Sequence, residues 1–215
     1  APWKGPSKVL LQNSGTEAVE ASIKLARYMS GRQWIVGFVG GFHGRTLGAL
    51  TLTNSKAKYH AHFGPLAPGF LHVPFGSEGL DELEERIISK TIPGDEIAAF
   101  VVEPIQGEGG VIPADPAYLR AVQSLCAERG LLFMMDEVQT GFARTGKWFG
   151  FEHFGITPDV VTMAKGMGKK GSKLAQKYLD KARAPAHEKR SIIAVEGYVD
   201  VIAMHRAGLP HAVAP

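Results

Sequence analysis

Leu131-Leu132-Phe133-Met134-Met135-Asp136 sets five apolar residues in a row without a polar break and closes them with an acid. A run so short and so uniformly apolar reads as a strand buried on both faces, as parallel sheets require. A second run of the same build, Val160-Val161-Thr162-Met163-Ala164, closes on Lys165. Working outward, Pro116 to Arg129 reads as a helix leading into the first run, and Ile97-Ala98-Ala99-Phe100-Val101-Val102 as another buried strand, closing on Glu103. Trp34-Ile35-Val36-Gly37-Phe38 and the shorter Val9-Leu10-Leu11 are further strand candidates. Thr16 to Met29 and Asp81 to Lys90 carry apolar residues at helical spacing. Ser14-Gly15-Thr16-Glu17 fits a capping box before the first of these helices. Apolar strands alternating with helices predict an α/β fold with a mainly parallel sheet and flanking helices.

Composition sets the outer bounds. The 215 residues are 45% hydrophobic and 21% charged, with 26 Gly and 13 Pro, enough for one good-sized domain or two small ones. Cys126 stands alone, which excludes an internal disulfide framework and fits a reducing compartment. There is no run of apolar residues long enough to span a bilayer, and Ala1-Pro2-Trp3-Lys4-Gly5-Pro6 lacks the pattern of a signal peptide, so no membrane partner is expected and the cytoplasm is the expected location. The absence of a starting Met suggests a chain that begins within a longer protein. The net charge of +3 hides an asymmetry: residues 1–168 hold 15 Lys and Arg against 17 Asp and Glu, whereas residues 169–215 hold 9 against 4. A solvated basic helix explains that tail better than a nucleic-acid-facing surface.

In a parallel sheet, ligands bind beyond the carboxyl ends of the strands. An acid and a lysine there suit pyridoxal phosphate, which is held by a lysine as a Schiff base and has its pyridine nitrogen partnered by a carboxylate. Two buried strands that surface at polar residues give the same pattern, and Asp136 and Lys165 alone fit that plainer reading better. Other segments carry similar alternatives. Asn13-Ser14-Gly15-Thr16-Glu17 opens a helix, where free N–H groups and the helix dipole favour a phosphate, or where a plain cap suffices. Gly40-Gly41-Phe42-His43-Gly44-Arg45-Thr46 offers an aromatic ring to stack on a flat ligand, or a tight turn with one buried Phe. In Glu103-Pro104-Ile105-Gln106-Gly107-Glu108-Gly109-Gly110, two carboxylates five residues apart can position a substrate ammonium or pair with an arginine such as Arg45. A solvated Gly-rich turn is the alternative there.

Taken in order, these segments, with Asp136-Glu137-Val138-Gln139-Thr140-Gly141 and Pro158-Asp159-Val160-Val161-Thr162-Met163-Ala164-Lys165-Gly166, resemble the class III pyridoxal-phosphate aminotransferases, most closely the 4-aminobutyrate and acetylornithine branch. The resemblance covers residues 1–168. It implies the large domain of that fold, truncated, and a ping-pong transfer of an amino group from an amino donor to a 2-oxo acid. Lys165 would be the Schiff-base lysine and afterwards the proton carrier. Asp136 would keep the pyridine nitrogen protonated, Val138 and Phe42 would pack on the two ring faces, and Gln139 would lie near the ring oxygen. Gly15 and Thr16 would hold the phosphate, His43 would belong to the cofactor-binding group, and Arg45, Glu103 and Glu108 would belong to the substrate side. A homodimer is implied as well.

After Gly168 the family pattern breaks. Lys170-Gly171-Ser172-Lys173-Leu174, Ser191 to Ala203 and Ala207 to Pro215 resemble the start of the Toprim domain of DnaG-type primases, in which Glu196 would help to bind metal ions. A lone glutamate is a poor magnesium site, so no metal site is expected and nucleic acid is not the expected partner. The reading is therefore of two parts: residues 1–168, an aminotransferase large-domain fragment, and residues 169–215, a basic tail with a short foreign α/β segment. Residues 191–203 are expected to supply a substitute strand, with a helix starting over 201–206. Such a chain is expected to hold the cofactor weakly without turning over.

Overall fold

The computed structural model describes residues 7–164, together with the two short strands Ile193–Ala194 and Ala212–Val213. Its centre is a five-stranded sheet made of β1 (Trp34–Phe38), β2 (Phe70–Val73), β3 (Ile97–Val102), β6 (Leu132–Asp136) and β7 (Val160–Thr162), in the order β2-β1-β3-β6-β7. Every neighbouring pair is parallel. Between β3 and β6 lies a small antiparallel pair, β4 (Ile105–Gln106) and β5 (Ile112–Pro113).

The uniform apolar character of the strands has a direct cause, since successive side chains point to opposite faces and both faces are covered. Ile35, Ala99, Val101 and Met134 pack with Val19, Ile23 and Ala26 of helix α1 (Gly15–Ser30) and with Ala49 and Leu52 of helix α2 (Leu47–Leu52). Val36, Phe38, Phe100, Val102, Phe133 and Met135 pack instead with Tyr118, Leu119, Val122, Leu125 and Cys126 of helix α4 (Pro116–Arg129). Helix α1 fits the sheet because its buried residues recur at helical spacing, and it stops at Gly31, whose left-handed φ of 69° lets its N–H reach Arg27 O. Helix α4 begins at Asp115, whose side chain accepts from the N–H groups of Ala117 and Tyr118, with Pro116 at the first position.

Most expected elements are present with shifted ends. The capping box is half formed: Ser14 Oγ accepts from Glu17 N at 3.3 Å, but the Glu17 carboxylate turns to Asn13 N, at 2.7 Å, one residue earlier than the motif predicts. The helix expected over 81–90 starts earlier, as α3 (Ser77–Glu82), and widens into a π-helical turn over Leu83–Ile88. Strand β7 ends at Thr162, short of the expected Ala164. Thr162 O accepts from Glu137 N at 2.9 Å, and past that bond the neighbouring strand has turned away into a loop. Val9-Leu10-Leu11 is not a strand: no sheet edge pairs with it, Val9 packs loosely on the core and Leu10 is exposed.

In the tail, only Ile193–Ala194 and Ala212–Val213 are described. They pair parallel with each other and not with the five-stranded sheet; the rest of the substitute strand expected over 191–203 lies outside the described residues. Lys165, Glu196 and the helix expected over 201–206 lie outside the described residues. Among the described residues, no helix is long and apolar enough to cross a membrane.

Candidate active site

The carboxyl ends of β1, β3, β6 and β7 open on a cavity of about 400 Å³. Its wall includes Gly15, Thr16, Phe42, Arg45, Glu103, Glu108, Asp136, Val138, Gln139 and Ala164. Residues from five separate segments of the sequence therefore meet in one place, as the strand-end rule for parallel sheets predicts.

Asp136 ends the strand next to the sheet's edge strand and is 3% exposed. Its Oδ1 accepts from Val138 N and from Thr162 Oγ1, both at 3.0 Å, and its Oδ2 lies 2.7 Å from His43 Nδ1. These bonds compensate the desolvation of a buried carboxylate. His43 is buried as well. Burial alone disfavours its charged ring, but the bond to Asp136 and the charges of Asp136 and Glu103 outweigh it and raise its pKa above the ordinary value. His43, expected among the cofactor contacts, does not line the cavity itself and meets its wall through the bond to Asp136. His43 Nε2 has no partner among the described residues.

The loop that carries Phe42, His43 and Arg45 is held from three sides. Thr53 Oγ1 accepts from His43 N and Gly44 N and donates to Gly44 O. Thr16 Oγ1 accepts from Arg45 N and Thr46 N, at 3.3 and 3.4 Å. Glu20 Oε1 accepts from Thr46 Oγ1 and from the N–H groups of Gly48 and Ala49, capping α2 from another helix. Thr16 thus lines the cavity while its hydroxyl ties α1 to this loop.

Glu103 is buried and links the two loops that flank the cavity, accepting from Phe42 N at 2.9 Å and from Gly107 N at 3.3 Å. Burial pushes its carboxyl up to about 7, against the charge of His43 and the two backbone bonds. Glu108, at the tip of the β4–β5 turn, does not pair with Arg45. Its Oε2 accepts from Lys56 Nζ and Tyr59 OH, each at 3.0 Å, and these bonds hold its pKa below the usual carboxylate range.

Glu137 is wholly buried, and its place in the site had no signal beyond standing next to Asp136. Its carboxylate accepts from Thr140 Oγ1, Gly150 N and Phe151 N, pinning the loop that carries Val138 and Gln139. Burial raises its pKa, while those same bonds oppose the shift. Gln106 Nε2 donates to Val39 O, joining β4 to the residue that follows β1. Two adjacent acids at a strand end do hint that one is internally bonded, but Thr53, Glu20 and Gln106 serve partners far along the chain and leave no local trace.

The geometry suits a flat, anionic, nitrogen-containing ring: a buried, hydrogen-bonded carboxylate, an apolar Val138 and an aromatic Phe42 on the wall, and a helix N-terminus at Gly15 and Thr16. The model of the class-III aminotransferases matches residues 2–189. The chain belongs to that family. It is 48% identical over 167 residues to the acetylornithine aminotransferase of Caldanaerobacter subterraneus subsp. tengcongensis, an alignment that covers 75% of this chain and 40% of that protein. A thermostable (S)-enantioselective omega-transaminase from Thermomicrobium roseum superposes with a TM-score of 0.66 at 37% identity, over 72% of this chain and 39% of that one. The taurine:2-oxoglutarate aminotransferase of Bifidobacterium kashiwanohense, solved with PLP and glutamate, gives 0.66 at 33% identity, over 72% and 38%. The chain thus spans about 40% of the length of the curated relatives it matches.

This class-III aminotransferase match continues to residue 189, past the boundary expected at Gly168. The comparisons lend no support to a primase Toprim segment or to a chimera.

Proposed function

We propose that this chain carries the cofactor-binding part of a pyridoxal-phosphate-dependent aminotransferase that moves an amino group from an amino donor to a 2-oxo acid. The observation that carries the reading is Asp136, a buried carboxylate on the cavity wall fixed by His43, Val138 N and Thr162. A carboxylate held there keeps a proton on a pyridine nitrogen, the arrangement that makes pyridoxal phosphate an electron sink for the substrate carbon. His43, tied to the far oxygen of Asp136, fixes its orientation. Gly15 and Thr16 offer the N-terminus of α1 to a phosphate. Val138 and Phe42 bracket a ring and keep water from it, and Gln139 stands where a ring oxygen needs a polar neighbour. Lys165 follows Ala164, which lines the cavity, and its amine is the group that carries a proton to and from the substrate carbon. Arg45 takes the substrate carboxylate, with Glu103 and Glu108 on the same side of the site. On this reading residues 1–168 form the cofactor-bearing unit and the working protein is a cytoplasmic homodimer.

The test is a titration of the chain with pyridoxal phosphate beside its Lys165→Ala variant. A new absorbance band at the edge of the visible is expected from the unaltered chain alone. Identical spectra from the two proteins would sink the assignment of Lys165.

A further inference from the structure

Lys56 and Tyr59 sit outside the motifs that define the site, in the segment between α2 and β2, yet both bond to Glu108 on the cavity wall. Lys56 Nζ and Tyr59 OH converge on one oxygen of Glu108, each at 3.0 Å. The Arg45 guanidinium lies 5.5 Å from the Tyr59 ring centroid and 5.4 Å from that of Phe42, which itself stands edge-on to Tyr59. Arg45 is close enough to Glu108 for its charge to act on that carboxyl. Even so, among the described residues Arg45 has no ion pair, and its guanidinium lies over the two rings.

An arginine and a carboxylate that meet form a strong, often bidentate, charge-assisted pair. Here the carboxylate is satisfied by a cation and a phenol from a third segment, and the guanidinium rests on aromatic faces, a weaker contact than a carboxylate provides. We infer that Lys56 and Tyr59 are positioning residues that hold Glu108 away from Arg45, leaving the Arg45 guanidinium open for the carboxylate of an acidic substrate. This inference rests on the proposed substrate role of Arg45 but concerns a different pair of residues. The clamp is exposed enough to exchange: both partners of the Lys56–Glu108 pair are nearly half accessible. Such pairs contribute little to fold stability, so removing this one redirects Glu108 without unfolding the chain.

The experiment reads Arg45 directly, through its rate of modification by phenylglyoxal, followed by mass spectrometry of its peptide in the full chain. Lys56→Met with Tyr59→Phe frees Glu108 to pair with Arg45, and the modification is expected to slow by about fivefold or more, the effect of engaging a charged hydrogen-bonding group at roughly 1 kcal/mol. Adding Glu108→Gln to the double variant is expected to restore the original rate, since the competing carboxylate is gone. An unchanged rate in the double variant, or no recovery with Glu108→Gln, would overturn the clamp. Glutarate serves as the dicarboxylate probe in a second arm. It is expected to protect Arg45 in the unaltered chain and to protect it less in the double variant. Glutarate that fails to slow modification of the unaltered chain would overturn the substrate role of Arg45 itself, a result separable from the first arm.

Discussion

Replacing Glu103 by Gln should change how the stability of this domain depends on pH. Glu103 is 6% exposed, and its carboxyl is pushed from the ordinary 4.5 up to about 7, chiefly by burial. The native carboxyl therefore keeps its proton to about pH 7, whereas the unfolded one loses it near 4.5. Between those values the native state holds more protons, so stability falls as pH rises. The favourable contribution is complete below the unfolded value and is lost as pH passes through the native one. With these two values, the loss between about pH 5 and about pH 8 is roughly 2.5 kcal/mol. Glu103→Gln removes the titration while keeping an oxygen for Phe42 N. It gives up the longer bond from Gly107 N, a constant cost of about 1 kcal/mol. His43 loses the charge of Glu103 in the variant but keeps its bond to Asp136, the larger cause of its raised pKa. Urea unfolding followed by tryptophan fluorescence at several pH values would measure the difference. The variant should gain about 2.5 kcal/mol on the parent across that range. Stability curves that run parallel to within about 0.5 kcal/mol would refute the claim that Glu103 is held in its neutral form by burial.

Two further outcomes follow from the loops around the cavity. Glu137→Ala strands the buried N–H groups of Gly150 and Phe151 and the Thr140 hydroxyl, and should cost about 2–6 kcal/mol in urea unfolding while weakening pyridoxal phosphate binding through the loss of the loop that carries Val138 and Gln139. Gly44→Ala introduces a side chain at a φ of 136°, against the Thr16 side chain, and should cost about 1–3 kcal/mol with loss of the Thr16 tie to Arg45 N, measured by thermal unfolding and by cofactor affinity.

The sheet was legible because burial on both faces leaves a simple mark: Ile97–Val102 and Trp34–Phe38 are strands with the ends their apolar runs indicate, and Pro116–Arg129 is a helix with the cap and stop its Asp115 and Gly130 announce. Val9-Leu10-Leu11 was misread for the complementary reason. A strand exists only with a neighbour to accept its hydrogen bonds, and three apolar residues say nothing about whether such an edge is present. The site was legible as a set of motifs, while the jobs within it were not. His43 reads as a cofactor contact, and its ring is bonded to Asp136; Glu108 reads as a partner for a substrate ammonium or for Arg45, and its bonds go to Lys56 and Tyr59.

The alternation of buried strands and helices, and the ordered motifs of the class-III aminotransferases, are legible along the chain because periodicity, caps and short local patterns are properties of neighbouring residues. Which acid faces which base is a matter of the folded arrangement. Asp136 meets His43 across 93 positions, and Glu103 meets Phe42 N across 61. Contacts of that separation depend on the strand order β2-β1-β3-β6-β7, which brings the carboxyl ends of distant segments to one cavity. Burial there, absent from any local pattern, raises the pKa of Glu103, and the bond to Asp136 raises that of His43 against its own burial.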